Sequence, residues 1–355
     1  MKKKTTKQKK AAALFKKYWK AGRRHVLRTE LLVAYVVLIL IGGYMLVVNR
    51  EHRDDSQITY GISFSTKYSK ELGIDWRAAY LALLDDVQVK HIRVPVYWDE
   101  IQPEENGPLQ LDDVQWMLDR AHEHDAKVIL AVGERVPRWP ECHPPAWAKE
   151  QWPADRQAAE LKMLEQVVAR FKDNAALDMW QVQNEPLFST FGNCPLVSKQ
   201  YIAQTVQLVR DIDNTHKIMM TDSGELSTWI GLTDITDVLG VSMYRMTWNK
   251  LFGYFYYTLP PEYYTWKARA IRPQVDRIMI SELQTEPWPP GTSIIDTPLP
   301  AQYKSMNPKR LAHNIDYAQR TGINEIYLWG PEWWYWLKTK HNDSSMWDAG
   351  KVYFQ

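Results

Sequence analysis

From residue 59 onward, short apolar runs alternate with longer segments whose apolar spacing is that of an amphipathic helix. Short continuous apolar runs are typical of strands that are buried on both faces of a parallel sheet. Eight such runs predict strands, at residues 58–64, 91–96, 127–132, 177–183, 217–222, 238–244, 277–281 and 325–329. Helical patterns cover residues 75–87, 111–124, 157–171, 197–212, 261–271, 308–321 and 344–354.

This alternation of strands and helices implies a parallel sheet with crossover connections. A doubly wound sheet usually carries a glycine-rich phosphate turn after its first strand, but residues 63–68 contain no glycine. We therefore predict an α/β fold, a (β/α)8 TIM barrel, as one domain over residues 59–355. In such a barrel, the loops that follow the strands carry the chemistry.

The N-terminal region differs in composition from the rest. Residues 1–30 contain twelve Lys or Arg and one acid, whereas residues 31–48 contain no charge. Eighteen helical residues span about 27 Å, close to the hydrocarbon thickness of a bilayer. The apolar run is long for a secretory signal and lacks a small-residue cleavage site. We predict an uncleaved signal anchor at 31–48, although a buried soluble helix would be the alternative.

The positive-inside rule places the basic tail, residues 1–30, in the cytoplasm. The linker (residues 49–58) and the barrel would then be extracytoplasmic, and the protein would cross the lipid bilayer once. Residues 51–355 carry 31 Lys or Arg against 41 Asp or Glu, so the basic character belongs to the N-terminal region. We predict no nucleic-acid partner.

Seventeen tryptophans are an unusual number, and Trp suits both apolar cores and the flat faces of sugars. Five of them follow predicted strands and are candidate sugar platforms, with core packing as the alternative: Trp98, Trp139, Trp288, Trp333 and Trp334. Cys142 and Cys194 lie in Pro-flanked loops on the same predicted face, either bonded or as free thiols. Two cysteines without matching His spacing predict no metal site, and no cofactor is expected.

Two predicted strands deliver a carboxylate to the same face of the barrel. The fourth ends in Asn184-Glu185-Pro186, where Pro186 lacks the backbone donor that a continuing strand needs. The seventh ends at Ser281 and is followed by Glu282. Glycosidic bond cleavage needs one carboxyl group to protonate the leaving oxygen and a second to act at the anomeric carbon. The pair therefore indicates glycosidase chemistry.

The Asn184-Glu185-Pro186 motif, together with Ser281-Glu282, resembles the retaining glycoside hydrolases of clan A. This clan includes cellulases, mannanases, β-glucanases and β-xylosidases, and the resemblance covers about residues 59–354. It implies that Glu185 is the acid/base and Glu282 the nucleophile of a double displacement. It also implies that Asn184 binds the sugar 2-hydroxyl and that Arg93 keeps the nucleophile ionised.

Two aromatic residues complete the site that the resemblance implies. Tyr244, at the end of the sixth strand, would orient the nucleophile, and Trp329, at the end of the eighth, would floor the −1 subsite. Each of these assignments has a structural alternative for the same residue type. Arg93 could form a buried structural ion pair instead, and Trp329 could be a plain core residue.

The sequence departs from the clan pattern after the third strand, where many members carry a histidine. Glu134 and Arg135 stand there instead, and they either contact the substrate or pair with each other. Glu286 competes with Glu282 as nucleophile. We favour Glu282, because it leaves the strand directly and is better fixed.

The prediction is therefore a membrane-anchored retaining β-glycosidase that acts on an extracytoplasmic β-glycan or glycoconjugate. Two alternatives stay open: a catalytically degenerate, glycan-binding scaffold, and a transglycosidase that uses the same two glutamates. Long connections at residues 245–260 and 283–307 should roof the active face, and the aromatic run 252–257 would be a lid or a partner surface. The sugar, endo or exo action and the oligomeric state are not predicted.

Overall fold

A computed structural model describes residues 29–39, 42, 58–291 and 293–355. Within these residues, eight parallel strands close into a barrel, which confirms the predicted (β/α)8 fold. The strands follow one another around the barrel in chain order, and the last pairs with the first. They are β1 (Thr59–Ser63), β2 (His91–Pro95), β3 (Lys127–Val132), β4 (Leu177–Val182), β5 (Lys217–Asp222), β6 (Val238–Met243), β9 (Arg277–Gln284) and β10 (Glu325–Trp329).

Helices surround the barrel, and most of them match a predicted amphipathic segment. With the helical residues 29–39 counted as α1, the helices among the described residues are α2 (Thr66–Glu71), α3 (Trp76–Ala82), α4 (Trp98–Ile101), α5 (Asp112–Glu123), α6 (Ala146–Lys149), α7 (Pro153–Phe171), α8 (Lys199–Ile212), α9 (Pro261–Ile271), α10 (Leu299–Ser305), α11 (Pro308–Gln319), α12 (Pro331–Lys340) and α13 (Ser345–Lys351). A π-helical turn, Leu83–Val87, continues α3, and a 3-10 turn covers Ile230–Leu232.

Alternation along the strands divides the core into two parts. One residue from each of six strands fills the barrel interior, namely Ile129, Met179, Met219, Val238, Met279 and Tyr327. Their strand neighbours, such as Trp180 and Ile280, face outward into the larger apolar layer beneath the helices. Polar residues that share the inward direction nearer the carboxyl ends of the strands, such as Gln181, therefore lie above this apolar plug.

β9 extends beyond the predicted end at Ser281, so Glu282 lies inside the strand and not just after it. The pairing with β6 passes from Val241–Ile280 directly to Ser242–Glu282, which leaves Ser281 as an extra residue. Strict alternation from Ile280 would point Glu282 outward toward the helices. Because the bulge adds one residue, Glu282 turns inward, as bulges beside active sites commonly achieve.

The connection after β6, which was predicted as an irregular roof, contains an antiparallel hairpin. Its strands are β7 (Met246–Asn249) and β8 (Gly253–Tyr256). The Asn249 side chain accepts backbone hydrogen bonds from Leu251 and Phe252, and Gly253 adopts a φ of 68° in the turn. The second predicted roof contains the short helix α10. Leu251 and Phe252 are among the exposed apolar residues of this region.

The apolar residues of α1 are exposed. Among the described residues, no helix has both the length and the apolar character that a membrane crossing requires. Several predicted segments lie outside the described residues. They are the basic tail up to residue 28, residues 40, 41 and 43–48 of the predicted anchor, and the linker before residue 58.

Candidate active site

Arg93 lies at the centre of a polar cluster above the apolar interior, and its side chain is fully buried. Its Nη1 atom donates to Glu282 Oε1 at 2.8 Å, and Nη2 donates to Asn184 Oδ1 at 2.8 Å. Its Nε atom donates to Gln181 Oε1 at 2.5 Å. A buried guanidinium with this many acceptors links β2, β4 and β9 through charge-assisted hydrogen bonds. The predicted Arg93–Glu282 ion pair is thus present.

Glu185 is buried just beyond β4, and its backbone has a φ of 41°, a value rare for residues other than glycine. Its N–H donates to Thr221 Oγ1 at 2.9 Å, and its Oε1 accepts from the Ser242 hydroxyl at 2.8 Å. Burial, followed by the negative charge of Glu282, raises the pKa of the Glu185 carboxyl well above its ordinary value. A protonated carboxyl group is what an acid catalyst requires.

Glu282 has both carboxylate oxygens occupied by donors. Arg93 binds Oε1, and the Tyr244 hydroxyl donates to Oε2 at 3.0 Å. Burial and the charge of Glu282 raise the pKa of the Tyr244 hydroxyl, which keeps it protonated as a donor. The structure therefore brings together five residues named from the sequence: Arg93, Asn184, Glu185, Tyr244 and Glu282.

A third carboxyl group, Glu141, enters the same cluster and was not predicted. Its Oε2 accepts from Asn184 Nδ2 at 2.7 Å. Burial and the charge of Glu282 raise the Glu141 pKa to about 8. Glu141 belongs to the β3 loop (residues 133–145), which folds back so that Arg135 bridges to Cys142. The sequence places Glu141 after β3, but only this return path brings it to Asn184.

Arg138, in the same β3 loop, covers the residue predicted to floor the sugar site. Its guanidinium lies 4.0 Å from the Trp329 ring centroid and 3.8 Å from that of Tyr68. It also pairs with Glu286 at 2.5 Å and with Glu332 at 3.2 Å. Glu286, the rival nucleophile, is therefore engaged by Arg138. Trp329 is at the expected position, but Arg138 occupies one of its faces.

The tryptophan predictions divide by exposure. Trp98, Trp333 and Trp334 are fully buried, so the prediction that they are sugar platforms is wrong. The reason is packing: helices α4 and α12 turn these three indoles inward. Their ring N–H groups bond Gln102, Gln302 and the Thr285 carbonyl, respectively.

Trp139 and Trp288 do lie at the mouth of the barrel. Trp139 is 62% exposed, and its ring is 5.7 Å from Phe191. Phe191 lies 6.0 Å from Trp288, which lies 5.5 Å from Tyr244. These four side chains form the aromatic row, which runs from the Tyr244 partner of Glu282 to the solvent. Phe191 was not predicted, because nothing in the sequence indicates that its loop passes between two tryptophans.

Glu134 is not among the groups around Asn184. Its carboxylate pairs with Arg156 at 3.1 Å, and its backbone N–H donates to Glu160. Arg135 donates to the Phe191 carbonyl at 2.9 Å, so the Glu134–Arg135 pair is not present, and the substrate contact of Glu134 stays a prediction. The reason is that Gly133, with a φ of 123°, turns the chain so that Glu134 faces α7.

Cys142 and Cys194 form a disulfide, which settles the question that the sequence left open. The bond joins the β3 loop to the loop after β4, and Asn193 N–H donates to the Pro140 carbonyl beside it. The described residues contain no group of three or more His, Cys, Asp or Glu that could hold a metal ion. The chemistry available at the site is that of its carboxyl groups and their donors.

Comparison with solved structures shows the same fold in several glycosidases. The chain matches GH5_18 from Streptomyces cattleya with a TM-score of 0.55 and 12% identity, covering 77% of this chain and 70% of that one. Xylanase 10B from Thermotoga maritima matches with a TM-score of 0.55 and 15% identity, covering 78% of this chain and 84% of that one. The β-galactosidase of Halorubrum lacusprofundi matches with a TM-score of 0.51 and 13% identity, covering 76% of this chain and 52% of that one. This chain thus spans about half of that last protein.

No curated protein matches the chain. The family model described as Cellulase (glycosyl hydrolase family 5) matches residues 55–281, more than half of the chain. That range includes Arg93, Asn184, Glu185 and Tyr244 and ends one residue before Glu282. The chain therefore belongs to glycosyl hydrolase family 5.

Proposed function

We propose that the protein is a retaining β-glycosidase in which Glu185 is the acid/base and Glu282 the nucleophile. The main support is the difference between their surroundings. Glu282 is held by the Arg93 cation and by the Tyr244 hydroxyl, so a donor fixes each of its carboxylate oxygens. Burial and neighbouring negative charge favour the protonated form of Glu185. A carboxyl group held by a cation can serve as nucleophile beside a second one whose protonated form is favoured and which can serve as acid.

In the first step, Glu185 gives its proton to the glycosidic oxygen while a Glu282 oxygen attacks the anomeric carbon. The bond to the leaving oxygen breaks, and a glycosyl ester on Glu282 forms. In the second step, Glu185 takes a proton from water, the water oxygen attacks the anomeric carbon, and Glu282 is released. Asn184, which Arg93 and Thr221 hold through its Oδ1 atom, would bind the 2-hydroxyl.

The experiment uses the full chain with aryl β-glycosides, and with β-1,4-linked oligosaccharides, of glucose, mannose, xylose and galactose. Glu185→Gln and Glu282→Gln should each lower kcat/KM by at least about 10³-fold, because each removes a reacting group. Glu104→Gln, at an exposed position, is the matched control. NMR of the first product should show a retained β-anomer.

Trapping separates the nucleophile from its rival. A 2-deoxy-2-fluoro glycoside of the preferred sugar should leave its label on the peptide that contains Glu282, at Glu282 and not at Glu286. A label on Glu286, an inverted product, or near-full activity of either Gln variant would refute the assignment. Product analysis with added acceptor sugars would show whether transfer replaces hydrolysis.

We also propose that residues 31–48 anchor the enzyme in the membrane, with the barrel on the extracytoplasmic side. Three features support this: the charge-free run, the basic residues before it, and the disulfide, since disulfides persist in oxidising compartments. Membrane fractions washed with carbonate should retain the full chain, and external protease should digest the barrel in intact cells. Release by the wash or protection from protease would contradict the proposal.

A further inference from the structure

The tip of the β3 loop occupies the two places that the proposed function gives to a sugar. Arg138 lies on the Trp329 ring, where the apolar face of the −1 sugar would stack. Glu141 accepts the Asn184 Nδ2 hydrogen bond that would go to the 2-hydroxyl. A sugar in the −1 position would therefore compete with both side chains.

The space beside these residues confirms the crowding. The pocket lined by Ser65, Arg93, Arg138 and Trp329 is too small to hold one water molecule. Within the Arg138–Glu286 ion pair, Arg138 Nε and Glu286 Oε2 are buried without a hydrogen-bond partner. Buried polar atoms without partners are uncommon, and the hydroxyls of a bound ligand could satisfy them.

The base of the β3 loop is fixed, which confines any movement to its tip. The disulfide and the bridge between Arg135 and Cys142 hold the two ends of the turn. Within the tip, Arg138 and Glu141 have φ values of 91° and 75°. Such values in residues other than glycine carry a conformational cost, so the turn holds both side chains over the site at the expense of backbone strain.

Trp139 connects the tip to the aromatic row. It lies between Arg138 and Glu141 in the sequence, and most of its surface is exposed. A glycan of several residues would stack on Trp139, Phe191 and Trp288, because sugar rings present apolar faces to aromatic side chains. A single sugar in the −1 position would make none of these contacts.

We propose that the side chains of Arg138 and Glu141 form a plug that the substrate displaces while Trp139 stays in the aromatic row, and that this plug makes the enzyme selective for oligomeric β-glycans over glycosides of one sugar. Binding along the aromatic row offsets the free energy needed to move Arg138 and Glu141. This is induced fit, in which remote contacts of the correct substrate assemble the site. The inference rests on the proposed function, since it requires sugar binding at Glu282.

The test compares kcat/KM for a 4-nitrophenyl β-glycoside and for a β-1,4 oligosaccharide of the same sugar. The wild type should favour the oligosaccharide by at least about 100-fold. Glu141→Ala frees Asn184, and Arg138→Lys keeps the charge beside Glu286 and Glu332 but loses the planar stack. Each should raise kcat/KM for the aryl glycoside about tenfold and reduce the preference. Glu104→Ala, at an exposed position, should change neither value.

Trp139→Ala is a second variant, with little risk to folding because the side chain is exposed. It should lower kcat/KM for the oligosaccharide alone. Equal wild-type rates for the two substrates, or a parallel loss of both rates in Glu141→Ala with an unchanged Tm, would overturn the plug while leaving the proposed function intact. A wild type inactive on every glycoside would overturn the proposed function itself.

Discussion

At the residue scale, the Ser242 hydroxyl donates to Glu185 Oε1 at 2.8 Å and so binds the proposed acid directly. Arg93, Glu185 and Tyr244 could be named from the sequence, because each lies in or next to a predicted strand and the resemblance to clan A implies a role for it. Ser242 also lies on a strand, but a serine in an apolar run gives no chemical signal. Glu141 and Arg138 escaped prediction for another reason: the path of the β3 loop depends on turns that residue types alone do not determine.

Removing the Ser242 hydroxyl should move the pH dependence of the reaction. Its hydrogen bond favours the ionised form of Glu185 and so opposes the larger effects of burial and of Glu282. In Ser242→Ala, the Glu185 pKa should rise further, and the alkaline limb of kcat/KM should shift to higher pH, because the acid stays protonated for longer. The loss of rate at the optimum should be less than about tenfold.

Ser189→Ala, at an exposed position in the loop after β4, is the control for this pH profile. An alkaline limb that stays in place or moves to lower pH would contradict the role given to Ser242.

At the scale of elements, all eight barrel strands and most helices could be predicted, since their apolar periods are strong. The exceptions have physical reasons. The β7–β8 hairpin is rich in aromatic residues and short, so its pattern resembles a loop. α12 has Trp333 and Trp334 in its first turn, close to a strand end, and only its packing shows that it is a helix with buried tryptophans. The bulge at Ser281 breaks the alternation that locates strand residues.

The disulfide is the element-scale feature with the largest expected effect on stability. Cys142 and Cys194 are 52 residues apart. Closing a loop of this length restricts the unfolded chain by about 4 kcal/mol in the chain-entropy account. The double variant Cys142→Ser/Cys194→Ser should therefore unfold at a lower urea concentration. Its free energy of unfolding should be about 4 kcal/mol below that of the wild type. Wild-type protein unfolded with a reductant is the control; a loss below about 1 kcal/mol would show that the link contributes little.

At the scale of the whole molecule, several buried carboxyl groups have a raised pKa. Burial is the largest cause in each, and the values are about 7 for Glu134, Glu225 and Glu332 and about 8 for Glu141. A raised pKa means that the folded state binds the proton more tightly than the unfolded state. Its contribution to stability is complete below the unfolded pKa and is lost as pH rises through the folded pKa.

Glu225→Gln tests this pH dependence away from the reacting carboxyl groups. Glu225 Oε1 accepts from Tyr264 and from the Tyr244 N–H, and the Gln oxygen can do the same. Between about pH 4.5 and 7, ionisation of Glu225 should lower the free energy of unfolding of the wild type by about 3 kcal/mol. The variant should lack this contribution. Urea unfolding across that pH range measures the free energy of unfolding, with Glu104→Gln as control. If the wild type and Glu225→Gln show the same pH dependence, Glu225 is excluded as a cause of the loss.

The pairing of β10 with β1 has a consequence for biosynthesis. Residues 59–63 leave the ribosome long before their partner, residues 325–329. Until then, β1 and β9 each present an open edge, and open edges recruit strands from other chains. A nascent chain must therefore keep two edges apart from its neighbours until β10 emerges. A transcript truncated before codon 325 would yield aggregating protein and not a smaller enzyme.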